Sequence, residues 1–343
     1  MSHFSTLLTH VSSHEEMERQ LLPFAEDTSI VPEACLHFED LTDAYKKEYE
    51  KEGREFLIAP NGQEFSPWDM LTKKGDDYVI GLVFESNPRA SDWALKETGW
   101  TSRFATFAQT YDTFEEFCAD YHSAEPNEEG LYGYTSNANA KWDYFSLGGR
   151  WTGYFRAKER CTGSLGISGV FENQALPGHF DWMIKREIDF DSAMNQAAID
   201  AAAKYVLFQE LVSLHGVPRL SGEIIEEIGE KNQDQFRELF WNQPIVRAMQ
   251  EKKLFSQFCA PETVDAFGTG SEEAKSYYVE TARLGCVVPY SILHEGQWYQ
   301  RGQMGWFGFS NDAMTQGEWV RKAWSLIESL PDTNKMALVD CHI

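Results

Sequence analysis

The sequence predicts an α+β fold in which a mixed sheet, formed by the N- and C-terminal parts, flanks a helical middle lobe. Both ends of the chain, HFSTLLTHV and KMALVDCHI, have the pattern of β-strands. Between them, SAMNQAAIDAAAKYVLFQELVSL combines strong helix formers with apolar residues at steps of three and four. Hydrophobic residues at 42% and aromatic residues at 14% are typical of a globular chain.

The first part, residues 1–180, is expected to be an α+β domain. After the opening strand, SSHEEMERQLLPF offers a serine cap, early acids and apolar residues at helical spacing. DLTDAYKKEYEKEG predicts a second helix. REFLIAPNGQEFSPWDM predicts two short strands around an Asn-Gly turn, and DDYVIGLVFE predicts a buried strand. DTFEEFCADYH predicts a further helix, which leads into an aromatic and glycine-rich corner.

The rest of the chain divides into a helical lobe or insertion, residues 181–270, and a final segment, residues 271–343. In the final segment, RLGCVVPYSILHEGQWYQRG predicts a hairpin that turns at Glu295 and Gly296. An amphipathic helix, GEWVRKAWSLIESL, and the terminal strand follow. We expect this segment to pack back on the first domain, so that the first and last strands share one domain.

The charge of the chain bears on its partners. With 30 Lys and Arg against 54 Asp and Glu, the net charge of −24 repels a phosphate backbone, so no direct nucleic-acid binding is expected. Such acidity suits solubility, a basic protein partner or imitation of nucleic acid. Without an apolar stretch of about 18 residues or a signal peptide, we expect a cytoplasmic protein that does not enter membranes.

Cysteine and histidine spacing predicts neither disulfides nor a metal site. The six cysteines are scattered without a C-x-x-C pair, which is typical of reduced cysteines in the cytosol. His3, His10 and His14 lie close in sequence, but their spacing matches no metal-binding motif. No cofactor is predicted.

The run KWDYFSLGGRW, beginning at Lys141, is the most unusual stretch. Gly148 and Gly149 permit a tight turn or bulge, across which Asp143 and Arg150 could lie close together. The spacing of a phosphate-binding P-loop is absent. The run is a structural corner, a surface that binds a partner or ligand, or a catalytic site. The candidate binding residues are Trp142, Arg150, Trp151 and Trp306.

The last strand carries a second candidate constellation. Alternation places Asp340 and His342 on one face and Cys341 on the other, so no Cys–His nucleophilic pair is implied. The Asp–His couple could act as a general base, hold a metal or complete a hydrogen-bond network. Together with Asp143 and Arg150, these two residues are the candidate catalytic groups.

Three stretches in the same order along the chain carry a family resemblance: HF with QLLPFAE, the central KWDYFSLGGRW, and GQMGWFGF with VDCHI. In these the chain resembles a family of uncharacterised proteins encoded by bacteriophages and prophages. The resemblance implies a phage accessory protein that acts in the bacterial cytoplasm. Accessory proteins of this kind often blunt host defence, and some large acidic inhibitors coat a defence complex such as Gabija. No catalytic residue is carried over from the family.

Two functions of different class follow as hypotheses. In the first, the chain is a phage-encoded inhibitor that binds a host defence protein complex, acting as a homo-oligomer. In the second, it is a hydrolase-like enzyme acting on a nucleotide or phosphorylated small molecule, with Asp143, Arg150, Asp340 and His342 around the glycine corner. A virion component is a third class. Convergence of those four side chains in one concave pocket would favour the enzyme. Their dispersal, together with an exposed flat aromatic patch, would favour the inhibitor.

Overall fold

The computed structural model describes residues 2–65, 69–74, 77–82, 99, 101–168, 174–229, 232–255, 260–304, 310–312 and 314–343. Helices and a sheet with both parallel and antiparallel strands make the fold α+β, as predicted. The chain divides into two compact units, one of Met1–Val31 with Asn139–Ile343 and the other of Pro32–Ala138. This division does not coincide with the boundary at residue 180 expected from the sequence.

The strands and helices are numbered in chain order. The strands are β1 (His3–Leu8), β2 (Leu36–Asp40), β3 (Gly53–Ile58), β4 (Glu64–Phe65), β5 (Asp69–Lys74), β6 (Asp77–Leu82), β7 (Thr101–Thr106), β8 (Gly133–Asn137), β9 (Tyr144–Gly149), β10 (Phe155–Arg156), β11 (Ile167–Ser168), β12 (His179–Phe180), β13 (Trp182–Ile184), β14 (Ser291–His294), β15 (Gln297–Gln300), β16 (Gly302–Met304), β17 (Ser310–Asp312) and β18 (Lys335–His342). The helices are α1 (His14–Leu21), α2 (Thr42–Lys51), α3 (Phe107–Thr110), α4 (Phe114–Tyr121), α5 (Phe190–His215), α6 (Ser221–Ile228), α7 (Gln233–Trp241), α8 (Pro244–Glu251), α9 (Ala260–Phe267), α10 (Glu272–Gly285) and α11 (Gln316–Ser329).

The main sheet of the first unit has β18 at its centre. Its strand order is β11-β9-β18-β1-β14-β15, and β13 pairs with the first residues of β18. The pairs β1–β14 and β9–β11 are parallel, whereas β18 runs antiparallel to its neighbours β1, β9 and β13. The two terminal strands are therefore direct neighbours, and the expectation that they share a domain is confirmed. The predicted hairpin is β14–β15, with its turn at Glu295 and Gly296.

One face of this sheet is covered by α11. Trp319, Val320, Ala323 and Ile327 follow one another at helical spacing and are all buried. They form one hydrophobic cluster with Leu338 of β18. Thr315 caps the helix, since its side chain accepts a hydrogen bond from the Glu318 N–H and the Glu318 carboxylate bonds back to the Thr315 N–H.

The helical middle is observed as predicted, with α5 as its longest element at 26 residues. Asp189 caps α5 by accepting a hydrogen bond from the Ser192 N–H at 3.1 Å. The buried face of α5 carries Tyr205 and Phe208, which pack in a second cluster with residues of α7, α8 and α9.

The second unit, residues 32–138, has its own small core. β3 lies between β4 and β7, and β2 pairs with β8. Phe107, Phe117 and Tyr132 are buried there among further aromatic side chains. The Tyr45 and His122 rings stack with their centres 3.8 Å apart.

The described cysteines, all but Cys259, are free thiols. Across the described helices, none is both long and apolar enough to cross a membrane.

Truncation of Leu338 tests the central position of β18. Leu338 is fully buried, so Leu338→Ala should lower the free energy of unfolding by about 2–5 kcal/mol in urea denaturation. Leu214→Ala is the matched control, because that side chain is 76% exposed and its loss should change stability by no more than about 0.5 kcal/mol. Equal losses in the two variants would show that β18 is not the core strand.

Candidate active site

The candidate site is the polar end of the sheet face that packs against α11. The register pairs His3 of β1 with His342 of β18, and His342 with Tyr144 of β9. Paired residues on neighbouring strands point to the same face, so these three side chains form one row. Asp340 lies in the next row of the same face. Leu338 lies one row further on and belongs to the hydrophobic core.

His3 and Asp340 form the first of two carboxylate–imidazole pairs. The Nδ1–H of His3 donates to Asp340 Oδ1 at 2.8 Å. The two side chains are only 9% and 4% exposed. A buried carboxylate needs such donors to offset its lost hydration, and the pair in turn fixes the orientation of the imidazole.

His342 and Asp143 form the second pair. His342 Nδ1 lies 2.6 Å from Asp143 Oδ1, with the histidine side chain 5% exposed and the aspartate 40% exposed. The centres of the His3 and His342 rings are 4.7 Å apart. Because a carboxylate engages each Nδ1, Nε2 is the nitrogen that remains for proton transfer in both rings.

Tyr144 covers the two imidazoles. Its ring stacks on His342 with centres 4.5 Å apart, and its hydroxyl lies 3.3 Å from His3 Nε2. The tyrosine itself is 48% exposed. Burial raises the pKa of Tyr144, the Asp340 and Asp143 carboxylates raise it further, and Arg150 acts in the opposite direction. The phenol therefore keeps its proton at neutral pH.

Arg150 joins this cluster through its backbone. Its N–H donates to Asp340 Oδ2 at 2.9 Å, so Asp340 holds both His3 and the turn after β9. Its positive charge is close enough to influence Tyr144. The structure thus brings the four predicted residues, Asp143, Arg150, Asp340 and His342, to one end of the sheet.

The glycine corner is built around two buried carboxylates. Gly148 and Gly149 both have positive φ, at 73° and 51°. A Cβ on Gly148 would lie 2.2 Å from Asp181 Oδ2, and one on Gly149 would lie 2.3 Å from the Asp340 Cβ. Only glycine allows the chain to approach both aspartates this closely.

Asp181 is the residue that organises the loop after β9. Fully buried, it accepts hydrogen bonds from the Gly153 N–H at 2.5 Å, the Gly166 N–H at 2.9 Å and the Thr152 hydroxyl at 3.1 Å. Backbone N–H groups that could otherwise cradle a phosphate are thus used by a carboxylate of the chain itself. These bonds hold the corner together, and Asp181 is a residue that the sequence analysis missed.

The tryptophans expected at a binding surface are placed differently. Trp142 is buried at 5% exposure, and its Nε1–H donates to the Leu21 carbonyl at 3.0 Å. Trp151 is partly buried against the core cluster under α11. Because its ring is buried, Trp142 is a residue of the core. Trp306 lies outside the described residues.

Cys341 points away from the site, as alternation predicted. It is completely buried beside Thr6, and burial raises the pKa of its thiol to about 12. It is not a nucleophile, because the thiolate is almost absent at neutral pH.

His3 is the functional candidate that the sequence analysis considered only as a metal ligand. It sits two residues before Ser5, whose β partner is Asp340. His3 could have been found from the sequence only by pairing the first strand, which contains His3, with the last strand, which contains Asp-x-His. That pairing requires knowing that the two terminal strands are neighbours. Among the described residues, no group of three or more His, Cys, Asp or Glu side chains could hold a metal ion.

Comparison with known proteins adds no relative: the chain matches no protein-family model, no curated protein and no solved structure.

Substitution of Gly149 tests the corner. Gly149→Ala should lower the free energy of unfolding by about 2–5 kcal/mol, because the left-handed backbone and the overlap with Asp340 both act against a side chain. Gly178→Ala is the control: φ there is also positive, at 77°, but nothing lies within 4 Å of the added Cβ. It should lose only about 1–2 kcal/mol in the same denaturation. A loss as small in Gly149→Ala would contradict the close packing on Asp340.

Proposed function

We propose that the chain is an enzyme that uses His3 and His342 as a general acid and a general base. The observation that carries the proposal is the pair of imidazoles with ring centres 4.7 Å apart, each bonded through Nδ1 to its own carboxylate. A carboxylate in this position fixes the tautomer of a histidine and stabilises its protonated form. Two such pairs side by side can serve the same reacting centre.

The reaction supported best is hydrolysis of a phosphate ester. A neutral imidazole accepts a proton from water through Nε2 while the water oxygen bonds to phosphorus. The bond between phosphorus and the leaving oxygen breaks, and the second imidazole, in its protonated form, gives its Nε2 proton to that oxygen. Because one ring must be neutral and the other protonated, the rate should be bell-shaped in pH.

The net charge of the chain and the local charge of Arg150 indicate which class of phosphate ester the site would bind. A net charge of −24 repels polyanions at long range, which disfavours a nucleic acid. Arg150, whose positive charge acts on Tyr144, supplies a local cation at this end of the sheet. A small molecule with a singly charged phosphodiester, such as a cyclic nucleotide, suits this balance.

Access to the imidazoles depends on Tyr144. His3 and His342 are almost fully covered, and the half-exposed Tyr144 ring lies over His342. Rotation of this one side chain would open the pair to a substrate. The backbone of β9 could stay in place, held by its pairing with β18.

Turnover of bis(4-nitrophenyl) phosphate, a singly charged diester, tests the proposal. His3→Ala and His342→Ala should each lower kcat/KM by about 10² to 10⁴, the usual contribution of a general acid or base. Asp143→Asn should also lower kcat, by up to about 10⁴, and distort the pH profile, because the Asp143 carboxylate fixes the tautomer of His342. The release of 4-nitrophenolate measures all three.

His215→Ala is the matched control, since His215 is an exposed histidine at the end of α5. It should keep the wild-type rate. Wild-type rates in the His342→Ala chain would contradict the proposal, provided that circular dichroism shows the variants folded. So would a wild-type chain that turns over neither the diester nor 4-nitrophenyl phosphate.

A second candidate function is inhibition of a host defence protein complex by binding. One observation favours it: Ile199, Val206 and Leu214 on α5 are 63%, 48% and 76% exposed. Their spacing of seven and eight residues places them on one side of the helix, opposite the buried Tyr205 and Phe208. An exposed apolar stripe on a strongly acidic chain suits a protein partner with a basic rim. Such an inhibitor would act in the bacterial cytoplasm as a homo-oligomer.

Phage plating on cells that carry a defence system separates the two functions. If binding is the activity, Leu214→Asp should abolish protection of the phage, because a charge placed in an apolar contact opposes association. His342→Ala should then protect like the wild type. Protection lost in His342→Ala and kept in Leu214→Asp would instead favour the enzyme.

A further inference from the structure

We infer that the first unit binds a small tetrahedral oxyanion, such as phosphate, in a cavity at the opposite end of the main sheet from the histidine pair. The cavity has a volume of about 270 Å³ and lies between the residues that follow β1 and the turn that precedes β18. Sites for drug-sized ligands have volumes of roughly 300–1,000 Å³, so this smaller cavity suits a small ion. No residue of the proposed active site lines it.

The position of the cavity in the sheet keeps it apart from the proposed active site. The pairing of β1 with β18 runs from His3 and His342 at one end to Leu8 and Ala337 at the other. The cavity adjoins the second end, where the Val11 N–H donates to the Lys335 carbonyl at 3.1 Å. At about 3.4 Å per residue, the length of β18 separates the two sites by roughly 20 Å.

The buried amide of Asn334 is the observation that points to a ligand. Asn334 lines the cavity and is only 4% exposed. Its Oδ1 accepts the His10 N–H at 3.1 Å, which fixes the orientation of the amide group. Its own N–H donates to the Pro331 carbonyl and its C=O accepts the Lys185 N–H, both at 2.8 Å. Nδ2 alone has no hydrogen-bond partner among the described residues.

A buried amide nitrogen in this state favours an added acceptor. Without a partner, the lost hydration of Nδ2 is not replaced, which is unfavourable for the folded chain. Since an amide nitrogen only donates, the atom that satisfies it must be an acceptor, such as an oxygen of a bound ion.

The other polar groups of the lining also suit an anion. Lys335 supplies a positive charge: its Nζ lies 6.0 Å from the centre of the Trp182 ring and forms no ion pair with a described carboxylate. The hydroxyls of Ser12 and Thr333, both exposed residues, can rotate to donate. The imidazole of His10 completes the set.

The lining contains no acidic residue, although the chain has 54 Asp and Glu. Even Asp332, which adjoins Thr333 in the sequence, is not among the residues that line the cavity. Donors from two separate segments therefore surround the space without a carboxylate to compete for them. A tetrahedral oxyanion directs acceptor oxygens to several sides at once and can bond to donors of both segments.

Isothermal titration calorimetry with sodium phosphate, at neutral pH and constant ionic strength, tests the site. We expect saturable binding of one ion per chain. Lys335→Gln should weaken it about tenfold or more, as loss of a charge-assisted contact does. Asn334→Asp keeps the acceptor for the His10 N–H but replaces the Nδ2 donor with a carboxylate oxygen, so it should abolish binding.

Two control variants make the same chemical changes elsewhere. Lys204→Gln and Asn195→Asp alter exposed residues of α5. Both should bind phosphate like the wild type. If Asn334→Asp fails to fold by circular dichroism, Lys335→Gln decides. Equal affinity in Lys335→Gln and Lys204→Gln would overturn the proposal, and so would a wild-type chain without saturable binding.

His342→Ala shows at which end of the sheet the ion binds. Because the cavity is remote from His342, this variant should bind phosphate with the wild-type affinity. Loss of binding in His342→Ala would place the ion at the histidine pair and would overturn the assignment to the cavity.

Competition identifies the class of ion. Sulfate, which is also a tetrahedral oxyanion, should displace phosphate, whereas chloride at the same ionic strength should not. Equal displacement by chloride would indicate charge screening alone and would overturn the site. Phenyl phosphate identifies the source of the oxyanion. Displacement at a lower concentration than phosphate supports the phosphoryl group of a larger molecule, and displacement only at a higher concentration supports the free ion.

Discussion

The antiparallel pairing of β1 with β18 is the interaction on which the rest of the structure depends. It joins residues as far apart as His3 and Asp340, which are separated by 337 positions in the chain. From Met336 to His342, β18 is buried without interruption, so the other strands of the main sheet are arranged around it. A slip of one residue in this register would turn His342 to the opposite face and separate it from His3.

The same register explains why so much polar surface is tolerated inside the first unit. Asp340 is shared between His3 and the Arg150 N–H, and Asp181 is shared among the donors of the loop after β9. Each buried carboxylate thus has several donors, which offset the loss of its hydration. Side chains held in this way on adjacent strands are pre-positioned, as a catalytic group must be.

Local patterns predicted several of the elements, because helices and hairpins are encoded by neighbouring residues. The capped start of α1, the length of α5 and the turn at Glu295 were all readable in this way. The face shared by Asp340 and His342 also followed from simple alternation. What alternation could not provide was the neighbour of β18. Without that neighbour, His3 had no evident partner.

The burial of Trp142 and the role of Asp181 could not be predicted from the sequence for the same reason, because both depend on partners that are distant in the chain. Trp142 bonds to Leu21, 121 residues earlier, and Asp181 reaches back to the turn at Gly148 across a glycine-rich loop. A Trp beside paired glycines looks like a contact surface when only its own segment is considered. Tertiary partners decide whether such a ring lies inside or outside.

Placing the two imidazoles on the earliest and the latest strand of the sheet has a consequence for synthesis of the protein. The ribosome makes β1 first and β18 after every other described strand. Until residues 335–342 have left the exit tunnel, β1 lacks its partner and His3 lacks both Asp340 and His342. The imidazole pair can therefore form only after residues 335–342 have been made, and chains whose translation stops before them cannot contain it.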